Sequence, residues 1–436
     1  MFINVFLFET QISVSKTIKN SMKKQIVLLA ALLGGILAGN AQKKGFDYKF
    51  YGQVRTDLFY NSRSNSETVD GLFYMYPLDK VEDPNGKDLN DNGNSDFYTL
   101  YTRLGVDVTG PMLGKAKTSA KVEVDFRGSG TTYSLFRIRH VYFNLDWGKS
   151  ALLVGQTWHP LYGDVAPEIL NLNMGAPYQP FSRAPQIRYR FTSENFRLTA
   201  AAIWQSQYLS VGPSSNEPGA TATRKHQDFI KWSSIPEVYV GVDYKRPGLI
   251  AGAGVHVSSI TPRTQSETGS GTYKVDERIT GISGEAHVKY TRNNWLVAAK
   301  TVLGTNLTQA STVGGYGIRS IDPVTGEQEY APLRTSTTWV NVAYGKTWRP
   351  ALFFGYLKGL GATEEVPYGT LGTGTTLDQL FTGTAELTYN RPHWKFGAEY
   401  SVCNAWYGDE FDAKAKALSS HTVLNHRLVV TAIFQF

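Results

Sequence analysis

The chain has 436 residues and a formal net charge of +7, a balance too weak to imply a nucleic-acid surface. Its single cysteine, Cys403, cannot close an internal disulfide, and after the N-terminal region no apolar run approaches the ~20 residues of a membrane-spanning helix. An inner-membrane helical protein is therefore excluded, although Tyr, Phe and Trp make up 13% of the residues.

The first element is a secretory signal over 1–41. Met22-Lys23-Lys24 precedes the apolar run Ile26 to Ala38, and Gly39-Asn40-Ala41 supplies small residues before Gln42. The run holds about 13 residues, too short to span. Met22 is the natural start, so 22–41 is the functional signal and 42–436 the mature domain, beginning at Gln42. No Cys stands at the cut, so a lipid anchor is not expected. The export signal also argues against a nucleic-acid partner.

From Tyr48 onward the chain alternates with period two. Tyr48, Phe50, Val54, Leu58 and Tyr60 share one face; Lys49, Gln53, Arg55 and Asp57 share the other. Ala120, Val122, Val124 and Phe126 alternate with Lys121, Glu123, Asp125 and Arg127. Such strands form a half-exposed soluble sheet or a barrel with lipid outside and water inside, and the export signal favours the barrel. Further strands are expected near 96–108, 135–147, 150–158, 186–192, 196–207, 237–245, 249–260, 279–290, 295–306, 336–347, 351–359, 379–389, 394–402 and 424–436. The total is about 16, with 14 or 18 one hairpin away. Apolar parity shifts near His140, which signals either a bulge there or a misplaced strand boundary. The inward face of Trp339, Asn341, Ala343 and Gly345 is weakly polar for a wet lumen.

The connections alternate in length. Short ones include Gly148-Lys149, Ser193-Glu194-Asn195 and Arg391-Pro392-His393. The others are mostly long and polar: 61–95, 159–185, 208–236, 261–278, 307–335, 360–378 and 403–423; one, near 128–134, is short. Short turns on one side and long loops on the other match periplasmic and extracellular ends. Trp295, Trp348, Trp394, Tyr244, Tyr290, Tyr344 and Tyr389 fall beside the short turns, where an aromatic girdle belongs. Within the first long loop, Asp88, Asn90 and Asn92 follow the first half of a calcium loop. Thr99 stands where the bidentate Glu should be, so a solvated loop is favoured over a calcium site.

The last strand, Arg427 to Phe436, is apolar at Leu428, Val430, Ala432, Phe434 and Phe436. It resembles the closing strand of Gram-negative outer-membrane β-barrels, whose terminal Phe is an assembly signal. Phe136-Arg137-Ile138-Arg139-His140-Val141-Tyr142 and Leu152-Leu153-Val154-Gly155-Gln156-Thr157-Trp158 resemble strands of the Gram-negative porin superfamily, nearest the DcaP-like and phosphate-selective porins. The chain departs from DcaP-like proteins in showing no helical coiled-coil extension before its first strand. The resemblance implies an outer-membrane location among lipid and lipopolysaccharide, insertion by the barrel-assembly machinery through Phe436, and a homotrimer. It also implies that the third outer loop, 159–185, folds inward. That loop is apolar for bulk water, carrying Leu161, Tyr162, Ile169, Leu170, Leu172, Met174 and Phe181 among five prolines.

Arg137 and Arg139, and Arg188 and Arg190, are spaced by two and face the lumen beside that loop. Two readings stand evenly: an anion ladder, or braces paired with Glu123, Asp125 or Asp107. Arg103, Lys121 and Arg127 join the same wall, and cations modestly outnumber anions over the inward faces. No nucleophile elbow, phosphate loop or zinc motif appears, and no cofactor is expected. His287 beside Glu285 is the only local pair, more in keeping with a hydrated lumen than with catalysis. The reading is a passive porin for small hydrophilic solutes, with anions as the candidate class if the ladder reading holds. The alternatives are a non-channel barrel serving assembly or surface attachment, and a barrel hydrolase.

Overall fold

The computed structural model describes residues 45–68, 73–126 and 136–436. The expected signal, Arg127 and the 128–134 connection lie outside them. Residues Tyr48–Val108 and Met112–Phe436 form one compact unit. Residues 45–47 and 109–111, grouped apart from it, are described only as stretches of chain at the ends of strands.

Among the described residues, sixteen antiparallel strands make up the barrel. They are β1 Asp47–Asn61, β2 Asn94–Tyr98 continued as Arg103–Leu113, β3 Ala116–Asp125, β4 Arg137–Asp146, β5 Ser150–Trp158 and β6 Arg183–Ser193. There follow β7 Phe196–Ile203, β8 Glu237–Arg246, β9 Leu249–Ile260, β10 Ile279–Arg292 and β11 Trp295–Thr305. The last are β12 Gln328–Tyr344, β13 Trp348–Ala362, β14 Leu377–Arg391, β15 Trp394–Phe411 and β16 Ala417–Gln435. Each pairs with the next, and β16 returns to β1 from Gln53↔Gln435 to Asn61↔Arg427. Closure leaves no sheet edge unpaired, as the bilayer interior requires.

Burial along the strands is the reverse of a water-soluble sheet. On β1, Val54 and Leu58 are 44% and 48% exposed, whereas Arg55 and Asp57 are buried. On β3, Val122 points out while Glu123 and Asp125 are buried. The apolar face meets lipid and the charged face meets the lumen. The aromatics beside the short turns form cross-strand pairs. Trp295–Tyr344, Trp348–Tyr389 and Trp394–Phe434 have ring centroids 4.7, 4.6 and 4.8 Å apart. Such pairs anchor a strand end at the interface.

The longest strands depart from the sequence expectation. β15 and β16 hold 18 and 19 residues, against the roughly 9–11 that span hydrocarbon. They rise beyond the membrane and join through 412–416, so 403–423 is not the long loop expected. β12 likewise starts at Gln328, inside the expected 307–335 loop. Above the bilayer neither face meets lipid. Backbone ladders persist there with inward residues such as Ala331, Leu333, Ala405 and Tyr407 buried by the loops and polar residues outside, so the lipid-facing apolar stripe that marks a membrane strand is missing.

Candidate functional site: a loop across the lumen

The 159–182 connection, the third outer loop, crosses the lumen. Its root is tied down by the Lys300 ammonium, which donates to the Leu161 and Tyr162 carbonyls at 2.7 and 2.9 Å. Asp164 pairs with Lys245 and Arg197 at 2.5 and 2.8 Å, and Glu168 with Lys289 and Arg349 at 2.7 Å each. Trp339 donates its indole N–H to Gln179 at 2.8 Å. The tip amide of Leu170 donates to Glu386 and Glu399, and the Arg55 guanidinium donates to the Leu170 carbonyl at 2.6 Å. The loop therefore reaches the wall opposite its origin. Val165, Ala176, Tyr178 and Phe181 pack on Leu296, Trp339 and Phe353 in one buried apolar cluster. This explains the weakly polar inward face of β12: Trp339, Asn341 and Ala343 are covered by the loop rather than by water.

A second inward element was not anticipated. The hairpin Asn65–Thr68 and Phe73–Pro77 buries Phe73, Tyr74, Met75 and Tyr76 against the third loop. Phe73 meets Phe181 edge-on at 5.0 Å, and Asn173 donates to the Tyr74 carbonyl at 2.7 Å. The aromatic run Phe73-Tyr74-Met75-Tyr76 inside a polar loop was the available signal.

These loops fill the β11–β15 side of the lumen and displace the open space toward β1–β5. A cavity of about 530 Å³ remains there. One wall carries Arg55, Arg103, Lys121 and Arg139; the other is the loop face of Tyr162, Ile169, Leu170, Leu172 and Met174. Two backbone irregularities build the basic wall. β4 carries a bulge opposite Glu123/Val124, so that Arg139 and His140 both turn inward. This is the parity shift near His140. β2 breaks at 99–102, where the Thr102 N–H bonds the Thr99 carbonyl at 3.1 Å. Tyr101 turns into the lumen there, 4% exposed.

The four expected arginines divide into two kinds. Arg137 and Arg139 are braces: Arg137 grips Asp125 at 2.6 Å, and Arg139 bonds Glu123 at 2.5 Å and Asp125 at 3.0 Å. Arg103 approaches Glu123 at 3.8 Å, and Lys121 pairs with Asp107 at 2.8 Å. Arg188 instead bonds Gln186 and the Trp158 carbonyl. Among the described residues, no carboxylate lies within ion-pair distance of Arg188, Arg190 or Arg183. Arg183, absent from the expected set, is fully buried and stacks on Trp158 at 4.7 Å; its Nε and Nη1 find no hydrogen-bond partner among the described residues. Its odd register beside Pro185 hid it from the period-two pattern.

Other expected groupings resolve differently. Asp88 Oδ1 accepts from the Val81 and Asn90 amides at 3.2 and 2.9 Å, and Oδ2 takes Arg63 at 3.0 Å. Burial pushes this carboxyl up, but the two amides and Arg63 outweigh it and hold it below the usual carboxylate range. Asn90 and Asn92 turn their amide groups onto the Asp79 and Leu89 carbonyls. The oxygens of Asp88 that calcium would need are thus already engaged. His287 has both ring nitrogens on carboxylates, Glu285 and Asp243, at 2.9 Å each, leaving neither for a substrate proton. His159, Glu237 and His256 cluster within 4.8 Å. The Leu161 N–H on His159 Nδ1, at 3.1 Å, places the ring proton on Nε2, the atom facing Glu237 that a metal would have to occupy.

Residues 39–203 match the family described as DcaP outer membrane protein. No curated protein sequence matches the chain. Among solved structures, the outer membrane channel DcaP of Acinetobacter baumannii shares 18% identity, covering 91% of this chain and 99% of that one, with a TM-score of 0.62. The trimer form of OmpT from Vibrio cholerae shares 12%, covering 90% and 100%, at 0.53. An anion-selective porin from Comamonas acidovorans shares 11%, covering 90% and 100%, at 0.51. The chain is a Gram-negative outer-membrane β-barrel with the porin fold, similar over residues 39–203 to the DcaP outer membrane protein family.

Proposed function

We propose that the barrel is a passive channel for small hydrophilic solutes and favours anions. The observation that carries this reading is the slot left by the third loop, whose lining holds Arg55, Arg103, Lys121, Arg139 and Lys395 against one acid, Glu123, so that positive charge remains in excess even though several of the cations are paired. The guanidiniums of Arg183, Arg188 and Arg190, which meet no carboxylate at ion-pair distance among the described residues, stand on strand β6 and add positive potential. Rings of Arg and Lys in a narrow lumen concentrate anions. No bond chemistry is involved, since the imidazoles with carboxylate neighbours are held in structural hydrogen bonds.

The protein works as a homotrimer in lipid and lipopolysaccharide, inserted by the assembly machinery that reads Phe436. A trimer form of the similar OmpT supports this reading. Purified protein in a planar bilayer should show stable open steps and a reversal potential of anion-selective sign in a salt gradient. Absence of steps would leave a non-channel barrel that serves assembly or attachment.

A further inference from the structure

We propose that Tyr101 is the positioning residue of the constriction: its ring holds three guanidiniums in a fan at the slot and thereby sets charge discrimination. This rests on the channel reading above.

The placement begins with the backbone. A continuous β2 would send its side chains alternately to lipid and lumen, but the break at 99–102 releases Tyr101 from that alternation. β1 holds the break in place. Gln53 donates its side-chain amide to the Tyr101 carbonyl at 3.3 Å, and the Arg55 N–H donates to the Thr102 hydroxyl at 3.2 Å.

Around the Tyr101 ring stand three guanidiniums from three strands. Arg103 of β2 lies 4.6 Å from its centroid, Arg139 of β4 5.1 Å and Arg55 of β1 5.3 Å. Cations are drawn to an aromatic face, the more strongly as both are desolvated. Like charges do not gather without a reason, and each has a carboxylate to retreat to. Arg55 is bound to Asp57 at 2.7 Å, Arg139 to Glu123 and Asp125, and Arg103 is only loosely drawn to Glu123 at 3.8 Å. The ring is the common surface that keeps the three near one another while they are paired. All three line the slot. Tyr101 also packs on Leu172 of the third loop, so the fan is referenced to the opposite wall of the same slot.

Without the aromatic face, nothing gathers the three guanidiniums at the slot: Arg55 and Arg139 stay with the carboxylates they already hold, and Arg103, the loosely held member, closes onto Glu123. The experiment is single-channel recording of the full-length barrel in a salt gradient, with Tyr101→Phe, Tyr101→Leu and pentafluorophenylalanine at position 101. The fluorinated ring keeps the size and packing of Phe but reverses the charge of its face, so folding is preserved where Leu could compromise it. Heat-modifiable migration reports folding for each variant. Tyr101→Phe should retain the wild-type anion-to-cation permeability ratio. Tyr101→Leu and the fluorinated ring should lower it severalfold toward unity in dilute salt. A ratio in the fluorinated protein equal to that of Tyr101→Phe overturns the proposal and leaves Tyr101 as packing for Leu172. Wild-type protein without open steps would defeat the channel reading itself, a result read before any variant.

Discussion

Glu386 and Glu399 stand directly opposite one another on β14 and β15, and both accept the same N–H, that of Leu170, at 2.7 and 2.8 Å. Both are buried, and Glu399 also takes the Asn171 N–H at 3.0 Å. Like charges across a ladder destabilise it, so the pair persists because it grips the loop tip. Replacing both by Ala leaves two buried amides unpaired, at about 1–3 kcal/mol each. The tip should loosen, and the double variant should show noisier, larger single-channel currents in a correctly folded barrel. Glu386→Gln alone, which keeps an acceptor for the Leu170 N–H, should leave the currents steady.

Glu168 neutralises two wall cations at once, Lys289 and Arg349. Glu168→Gln should free both and move the reversal potential further toward anion selectivity. Fields in the lumen are screened over about 10 Å at 0.1 M salt, so the shift should shrink in concentrated salt. An unchanged reversal potential in dilute salt would mean that the two cations find other partners.

The arginines should separate by assay. Arg139 is 2% exposed between Glu123 and Asp125, and removing one partner of a buried pair costs about 3–5 kcal/mol. Arg139→Gln should lower the temperature at which the barrel loses its heat-modifiable folded band. Arg188→Gln with Arg190→Gln, which breaks no ion pair among the described residues, should keep that temperature and weaken anion preference instead. The opposite pattern would exchange the two roles.

Asp88 organises its loop from outside the membrane-spanning strands. Its carboxyl lies below the ordinary range when folded, so its contribution is present above the unfolded carboxylate pKa and is lost as pH falls through the depressed folded value. The hydrogen-exchange protection of the Val81 and Asn90 amides, measured against the intrinsic rate at each pH, should stay high at neutral pH and fall in strong acid. Asp88→Asn should lower that protection at neutral pH and make little difference in strong acid. Calcium or a chelator should change neither, because the Asp88 oxygens already accept from Val81, Asn90 and Arg63.

Phe436 exchanges two backbone hydrogen bonds with Gly52 of β1, at 2.9 and 3.1 Å, while its side chain is 55% exposed. The ring lies over Gly52 and beside Phe434 and leaves its outer side toward lipid. Deleting Phe436 should therefore reduce assembled barrel and leave periplasmic precursor, measured by fractionation and heat-modifiability. Full assembly after the deletion would place the insertion signal elsewhere.

The strand count, the inside-out faces and the inward third loop were legible in the sequence, because lipid enforces a period of two and a loop rich in Leu, Ile and Phe needs cover. Even the bulge at Arg139 showed as a parity shift. Alternation could not say which charges answer one another, since ion pairing depends on register between strands far apart in sequence. Among the described residues, Arg137 and Arg139 find acids and Arg188 and Arg190 do not, because β3 brings Glu123 and Asp125 to β4, while β5 brings no acid to β6. The strand extensions beyond the bilayer, the Phe73–Pro77 hairpin and the fan around Tyr101 likewise needed three dimensions. Each arises where backbone pairing or long-range packing overrides the alternation that lipid imposes.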